Sequence, residues 1–122
     1  MNQRINYDLE ERTALFGMAI VRFSKEIKIT EINRPLVNQL IRSATSVGAN
    51  YAEANGASSR KDFQNKIFIC KKEVQETKHW LRILSVCCQD RIVSLRDFWR
   101  EAQELTMIFQ KILNSLRKSS KN

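Results

Sequence analysis

The stretch that decides the fold runs from Asn33 to Leu84. It reads NRPLVNQLIRSATSVGANYAEANGASSRKDFQNKIFICKKEVQETKHWLRIL. Pro35 suits the first turn of a helix, because backbone N–H groups in that turn have no hydrogen-bond partner within the helix and proline lacks this group. Apolar residues then recur at steps of three and four, which predicts an amphipathic helix over residues 34–55. The residues of this stripe are Val37, Leu40, Ala44, Val47 and Tyr51.

A break with its own turn chemistry separates this helix from the next one. Gly56 is expected to end the helix, because glycine accepts the left-handed conformation that closes a helix end. In the run Ser59-Arg60-Lys61-Asp62 the serine can accept a hydrogen bond from the amide three residues on, which starts a new helix. That third helix is predicted over residues 59–88. Its apolar stripe is Phe63, Ile67, Cys70, Val74, Thr77, Leu81, Leu84 and Cys88.

Two further helices flank this pair. Asp8 with Glu11, and Ser94 with Asp97, repeat the capping spacing, so helices are predicted over about residues 8–28 and 94–118. The first stripe is Leu9, Thr13, Phe16, Ile20, Phe23 and Ile27. The last stripe is Leu95, Phe98, Ala102, Leu105, Phe109, Ile112 and Leu116.

Short connections set the topology. They fall around residues 28–33, 55–58 and 89–93, so neighbouring helices should run antiparallel. The predicted fold class is all-α, an antiparallel up-and-down four-helix bundle. The chain has 122 residues and is 43% hydrophobic. That is enough for one core, and a single domain over residues 1–122 is expected.

Nothing in the sequence indicates a membrane or a secretory route. There is no apolar run of about 18 residues, and the N-terminal MNQRINYDLEERT holds no apolar signal segment. We therefore expect a cytoplasmic location and no membrane partner. The cysteines, Cys70, Cys87 and Cys88, are odd in number and two are adjacent, so reduced thiols are expected rather than a disulfide framework.

Several segments together resemble a known family. LIRSATSVGANYAEA (residues 40–54), SSRKDF (58–63) and KKEVQETKHWL (71–81) resemble the bacterial four-helix-bundle proteins encoded by intervening sequences in 23S ribosomal RNA genes, the S23 type. The opening YDLEERT and the last helix are similar too. The resemblance implies a homopentameric barrel without enzymatic activity. It also implies a relative of similar fold, the accessory protein of diversity-generating retroelements, which works beside a reverse transcriptase and nucleic acid.

Apolar residues outside the stripes argue independently for self-association. Large exposed apolar patches on soluble proteins are usually interfaces. The expected interface residues are Leu15, Met18 and Val21 on the first helix, and Ile69, Trp80 and Ile83 on the third; Trp99, Ile108 and Leu113 also lie off the stripe of the fourth. The alternative is that bundle cores are wider than the narrow stripe, so that these residues merely flank the core.

The second helix carries small residues at a spacing of four. Ala44, Gly48 and Ala52 leave one side almost without side chains, so another element should approach closely there. Asn50 and Glu53 lie just outside the stripe. They are expected to form a polar clamp with a basic residue such as Arg42 or Lys66, or alternatively to contact a small molecule or RNA.

Charge is the main indication of function. The chain has a formal net charge of +8, and residues 59–122 hold 14 of its 21 basic residues but 7 of its 13 acidic ones. Such surfaces bind phosphate backbones with little sequence preference, which points to nucleic acid, RNA above all. The predicted binding residues are Arg60, Lys61, Lys66, Lys71, Lys72, Lys78 and Arg82. The alternative is a solvated face, with Asp62–Lys66 and Lys72–Glu76 as ion pairs within the helix.

Catalytic and metal-binding patterns are weak. Glu76-x-x-His79 matches one element of a ferritin-like metal site, but that chemistry needs two such elements and His79 is the only histidine. A cysteine nucleophile would need a nearby histidine, and His79 is predicted on the face opposite Cys70 and Cys88. We therefore expect no enzymatic activity, no cofactor and no metal.

Two functions remain after these exclusions. The first is an oligomeric accessory protein that binds RNA through its basic face, in company with a reverse transcriptase or another protein. The second is a protein–protein scaffold that does not bind nucleic acid, with its charge serving solubility.

Overall fold

Four antiparallel helices make up the part of the chain that the structure describes, as the sequence predicts. The computed structural model describes the backbone of residues 2–121 and the side chains of residues 8–119. The helices are α1 (Asn2–Lys25), α2 (Arg34–Asn55), α3 (Arg60–Leu84) and α4 (Ile92–Lys121), and a short 3-10 turn (Gln89–Arg91) precedes α4. Each helix packs on its neighbour in the chain, whereas α1 and α4 approach each other at few positions. None of these helices has a stretch long and apolar enough to cross a membrane in the part of the chain described.

The predicted stripes form the core. Nearly every stripe residue is buried, because the three-and-four spacing keeps these side chains on one face of each helix. Some stripe residues near the ends of stripes or at helix edges are only partly buried and pack against the core. They are Ile27, Phe63, Phe98 and Ile112. Leu113, expected outside the core, is buried within it, so that expectation is wrong. A bundle core is wider than a strict heptad seam, which explains the difference.

The small residues of α2 allow α1 to approach closely. A Cβ added at Gly48 would lie 3.3 Å from the backbone carbonyl of Thr13, and one added at Gly17 would lie 3.4 Å from Thr45 Cα. Ala44 is fully buried. The close approach predicted at Ala44 and Gly48 is therefore confirmed, while Ala52 lies on the exposed side of the helix.

Two of the predicted helix starts have the predicted chemistry, and Pro35 lies in the first turn of α2 as expected. Ser59 caps α3, and its side chain accepts a 3.0 Å hydrogen bond from the Asp62 amide. Asp8 and Ser94 are not caps, because α1 begins at Asn2 and α4 at Ile92, so both residues lie inside helices. Gly56 ends α2 with φ −98° and ψ 12°, not in the left-handed conformation.

A polar loop that the sequence analysis missed joins α1 to α2. The Asn33 side chain accepts from the Thr30 amide at 2.8 Å and donates to the Lys28 carbonyl at 3.0 Å. The Thr30 hydroxyl in turn accepts from the Asn33 amide at 3.1 Å. These bonds satisfy backbone groups of the loop between Lys25, where α1 ends earlier than predicted, and Arg34, where α2 begins. They fix the entry of α2 before Pro35.

Candidate nucleic-acid interface

Two cationic side chains of α3 reach across to α4. The ammonium of Lys78 lies 4.6 Å from the centroid of the Trp99 ring and donates a hydrogen bond to the side chain of Gln103. Toward the other end of α3, Arg60 donates to the backbone carbonyl of Leu116 at 2.8 Å. These contacts show which flank of α3 faces α4.

Residues in register with these contacts form two facing stripes that lack acidic groups. Helical spacing places them on one flank of each helix. On α3 the stripe is Arg60, Gln64, Lys71, Gln75, Lys78 and Arg82, and on α4 it is Arg96, Trp99, Gln103, Gln110, Asn114 and Arg117. No Asp or Glu occupies either stripe. We call these two stripes together the basic surface.

The other three predicted binding residues point elsewhere. Lys66 lies on the flank toward α2, where its ammonium pairs with the Glu53 carboxylate at 2.8 Å, and this hydrogen bond raises the pKa of Lys66. The clamp predicted between Glu53 and a basic residue is thus confirmed. Lys61 and Lys72 lie on the outer face of α3, exposed and without an ion pair among the described side chains. Of the seven predicted residues, only those on the α4 flank belong to the basic surface.

An ion cluster replaces the helix-internal pair predicted for Glu76. Arg42 of α2 contacts Glu73 at 3.0 Å and also binds Glu76. Trp80 donates to the same Glu76 carboxylate at 3.3 Å. The Arg42 hydrogen bond is the main cause that lowers the pKa of Glu76, and it raises the pKa of Arg42. The predicted Lys72–Glu76 pair is therefore wrong, since Glu76 turns toward α2.

The predicted interface residues lie away from the basic surface. On α1, Leu15 and Met18 are 47% and 44% exposed, and Val21 is half buried. On α3, Ile69 is 37% exposed, while Trp80 and Ile83 are half buried on the flank that carries Glu73 and Glu76. These positions leave apolar surface on α1 and on the α2 side of α3.

A groove with acidic walls separates α1 from α4. Its volume is about 510 Å³. Arg12 crosses it and makes a two-point contact with Glu101, at 2.8 and 2.7 Å, and a further bond to Glu104 at 2.6 Å. The groove is lined by the acidic Asp8, Glu11, Asp97 and Glu101, by Arg12, and by the apolar Leu15, Phe16, Ala19 and Phe98. We call it the acidic groove.

Three residues that were considered for metal binding or catalysis are engaged in other contacts: Glu76, His79 and Cys70. Glu76 is held by Arg42, and the His79 ring packs against the Trp80 ring with centroids 5.0 Å apart. Burial raises the pKa of the Cys70 thiol to about 12, and this thiol donates to the Val47 carbonyl at 3.6 Å. Among the described residues, no three His, Cys, Asp or Glu side chains gather as metal ligands would.

Sequence reasoning missed the contribution of α4 to the basic surface. It named the cations of α3 as binding residues, but it counted the basic residues of the last helix only toward the overall charge, and it counted Trp99 only as unused apolar surface. The signal was present as a stripe on α4 without acidic residues. It becomes visible only when Lys78 shows that this flank faces α3.

Known proteins resemble this chain in sequence and in structure. Residues 6–111 match the family described as 23S rRNA-intervening sequence protein. A crystal structure of a protein with unknown function from the S23 ribosomal protein family of Bacteroides thetaiotaomicron is 30% identical, with a TM-score of 0.76, and the alignment covers 85% of this chain and 96% of that one. The curated proteins contain no significant match. Because the match spans most of the sequence and the folds agree, this chain belongs to the family of 23S rRNA-intervening sequence proteins.

Proposed function

We propose that this protein is a non-enzymatic, homo-oligomeric RNA-binding protein that holds the phosphate backbone on its basic surface. One observation carries the proposal: cations from two helices share a surface without a carboxylate. A merely solvated helix face would mix both signs, as the α2 flank of α3 does with Lys66, Glu73 and Glu76. Cations presented without competing carboxylates can replace the counterions condensed on a nucleic acid.

Assembly into a homopentamer strengthens the binding in this proposal. The expected contacts are Leu15, Met18, Val21, Ile69, Trp80 and Ile83, none of which belongs to the basic surface. Each subunit can therefore use its apolar residues for assembly and its cations for RNA. Repeating a +8 chain around a ring raises the field that attracts a polyanion. Light scattering is expected to give a mass near five times 14.3 kDa.

The non-enzymatic part of the proposal has its own support. A metal site built on Glu76 would have to displace Arg42, and a nucleophilic Cys70 would have to ionise in the core, where its pKa is about 12. A chelator should therefore leave the melting temperature unchanged. One tightly held metal ion per subunit in elemental analysis would contradict this part.

A protein–protein scaffold is the second candidate, and the acidic groove favours it. An apolar floor with a charged rim is the usual composition of a protein-binding surface. A reverse transcriptase or another protein with a basic apolar segment would fit such a groove. This candidate predicts no retention of RNA by the basic surface.

The salt dependence of RNA binding separates the two candidates. The test variant replaces Lys71, Arg82 and Arg96 of the basic surface by alanine, and the matched control replaces Arg22, Lys28 and Arg34, exposed cations on α1, its following loop and the start of α2. Both variants lose the same charge. With single-stranded RNA, each lost phosphate contact should reduce the slope of log affinity against log salt by about 0.7, so the test variant should lose about two units. The control should keep most of the slope.

Two outcomes would overturn the RNA-binding proposal. One is that the wild-type protein fails to retain RNA at low salt. The other is that the two triple variants lose affinity and slope equally, because only net charge would then matter. Light scattering of each variant verifies that the assembly is intact.

A further inference from the structure

Exposed aromatic rings lie among the cations of α3 and α4. The Phe68 side chain is 59% exposed on α3, and Trp99 is 39% exposed on α4. A lysine ammonium lies over each ring: Lys71 is 5.9 Å from the Phe68 centroid and Lys78 is 4.6 Å from the Trp99 centroid. Contacts with phosphates alone need cations but no aromatic surface.

We infer that Phe68 and Trp99 stack on unpaired bases, so that the ligand of the basic surface is single-stranded RNA rather than a duplex. This inference rests on the proposed function and names its ligand class. Proteins that hold single strands combine a positive groove, which tracks the backbone, with aromatic side chains on which bases stack. In a duplex the bases already stack on one another, and the rings would have no base to contact.

The geometry suits a short single strand. Trp99 lies beside Lys78, which is ten residues along α3 from Phe68. At 1.5 Å per residue the two rings are about 15 Å apart along the axis, roughly the length of four stacked nucleotides at 3.4 Å each. Lys71 and Lys78 lie between or beside the rings, where they can contact the intervening phosphates.

A subunit contact is the competing explanation for these rings. The neighbours of Phe68 on the outer face of α3 argue against it, since Lys61 and Lys72 are exposed cations on the same side. The cores of protein interfaces are depleted in lysine, whereas nucleic-acid surfaces are rich in it. On the α2 flank of α3, by contrast, the cations are paired with carboxylates, Lys66 with Glu53 and Arg42 with Glu73 and Glu76.

The experiment compares two RNA probes by fluorescence anisotropy. One is a labelled 20-nucleotide oligouridine, which remains unpaired, and the other is a labelled 20-base-pair RNA duplex. The test variants are Phe68→Leu and Trp99→Leu, which keep an apolar side chain but remove the ring. The controls are Phe68→Tyr and Trp99→Phe, which keep a ring, and Ile32→Ala, which removes an exposed apolar group at the α1–α2 loop.

The wild-type protein should bind oligouridine more tightly than the duplex. Each leucine variant should lose roughly five-fold or more of its affinity for oligouridine, the loss expected for one base stack, while duplex binding changes less than two-fold. The ring-keeping variants and Ile32→Ala should behave like wild type.

Other outcomes would show whether the stacking inference or the RNA-binding proposal is wrong. Equal wild-type binding of both probes, unchanged by the leucine variants, would overturn the stacking inference but leave the RNA-binding proposal intact. A changed mass of the leucine variants in light scattering would make the rings a subunit contact and also overturn the inference. Failure of the wild-type protein to bind either probe would overturn the proposed function itself, and the inference with it.

Discussion

The two flanks of α4 carry opposite charge. Toward α3 the helix contributes Arg96, Trp99 and Arg117 to the basic surface, and toward α1 it presents Asp97 and Glu101 to the acidic groove. A net charge of +8 therefore describes neither flank. The local field, rather than the total charge, decides what each side of this bundle can attract.

Packing differs between the same two sides. Side chains of α3 and α4 meet through an extensive contact, and Lys78 is held by Trp99 and Gln103. The backbones of α1 and α4 approach each other at few positions, and the side-chain contacts between them include the Arg12 bonds and an edge-on contact of Phe23 with Phe98 at 5.3 Å. The basic surface thus lies on two closely packed helices, whereas the acidic groove lies between two helices that are farther apart.

Charge reversal on the basic surface, compared with charge neutralisation in the acidic groove, should give the largest difference in RNA affinity. Arg82→Glu with Arg96→Glu removes two cations from the basic surface and adds two carboxylates. If each charge-assisted contact is worth about 1.5 kcal/mol, losing two weakens RNA binding by roughly 100-fold or more. Glu11→Gln with Asp97→Asn in the acidic groove should leave affinity unchanged or raise it a few-fold. Filter binding at fixed salt measures the RNA affinity of both double variants. Comparable losses of affinity would show that the two flanks of α4 do not differ in RNA binding.

Added side-chain volume should destabilise the side of α1 that packs on α2 more than the side that lines the acidic groove. Gly48→Leu inserts a side chain where a Cβ would already lie only 3.3 Å from the Thr13 backbone, so unfolding should become easier by about 1–3 kcal/mol. Ala19→Leu adds volume toward the acidic groove, where space exists, and should change stability by less than about 0.5 kcal/mol. Denaturant melts give both values. Equal costs would mean that the groove is filled in solution.

The helix cap that sets the start of α3 should have a smaller effect. Ser59→Ala removes the acceptor of the Asp62 amide and should cost about 1 kcal/mol of unfolding free energy. Ser58→Ala, the same change one residue earlier, removes an exposed hydroxyl and should cost almost nothing. Indistinguishable melts of these two variants would show that the cap contributes no stability.

The sequence predicts the fold better than it predicts the site, for a physical reason. Core stripes such as Val37 to Tyr51 are a property of one helix, since each stripe is visible in its own periodicity. The start of α1 was missed because Asn2–Tyr7 is largely polar and extends the helix without extending the stripe. The site depends on which flank of α3 meets α4, and the sequence pattern of either helix alone does not predict that. Lys66 and Lys78 look alike in sequence, yet one pairs with Glu53 and the other lies over Trp99.

The ion cluster between α2 and α3 should give the smallest effect, and one that depends on pH. Arg42 lowers the folded-state pKa of Glu76 below its ordinary value of 4.5, so the pair stabilises the fold above that value. The contribution disappears as the pH falls through the lowered folded-state pKa. Glu76→Gln should therefore be less stable than wild type at pH 7, by less than about 1 kcal/mol because the pair is partly exposed. The difference should shrink to nothing in strong acid, whereas Glu31→Gln, at an exposed position in the α1–α2 loop, should match wild type throughout. A wild-type advantage that persists unchanged in strong acid would show that Arg42 does not act on the charge of Glu76.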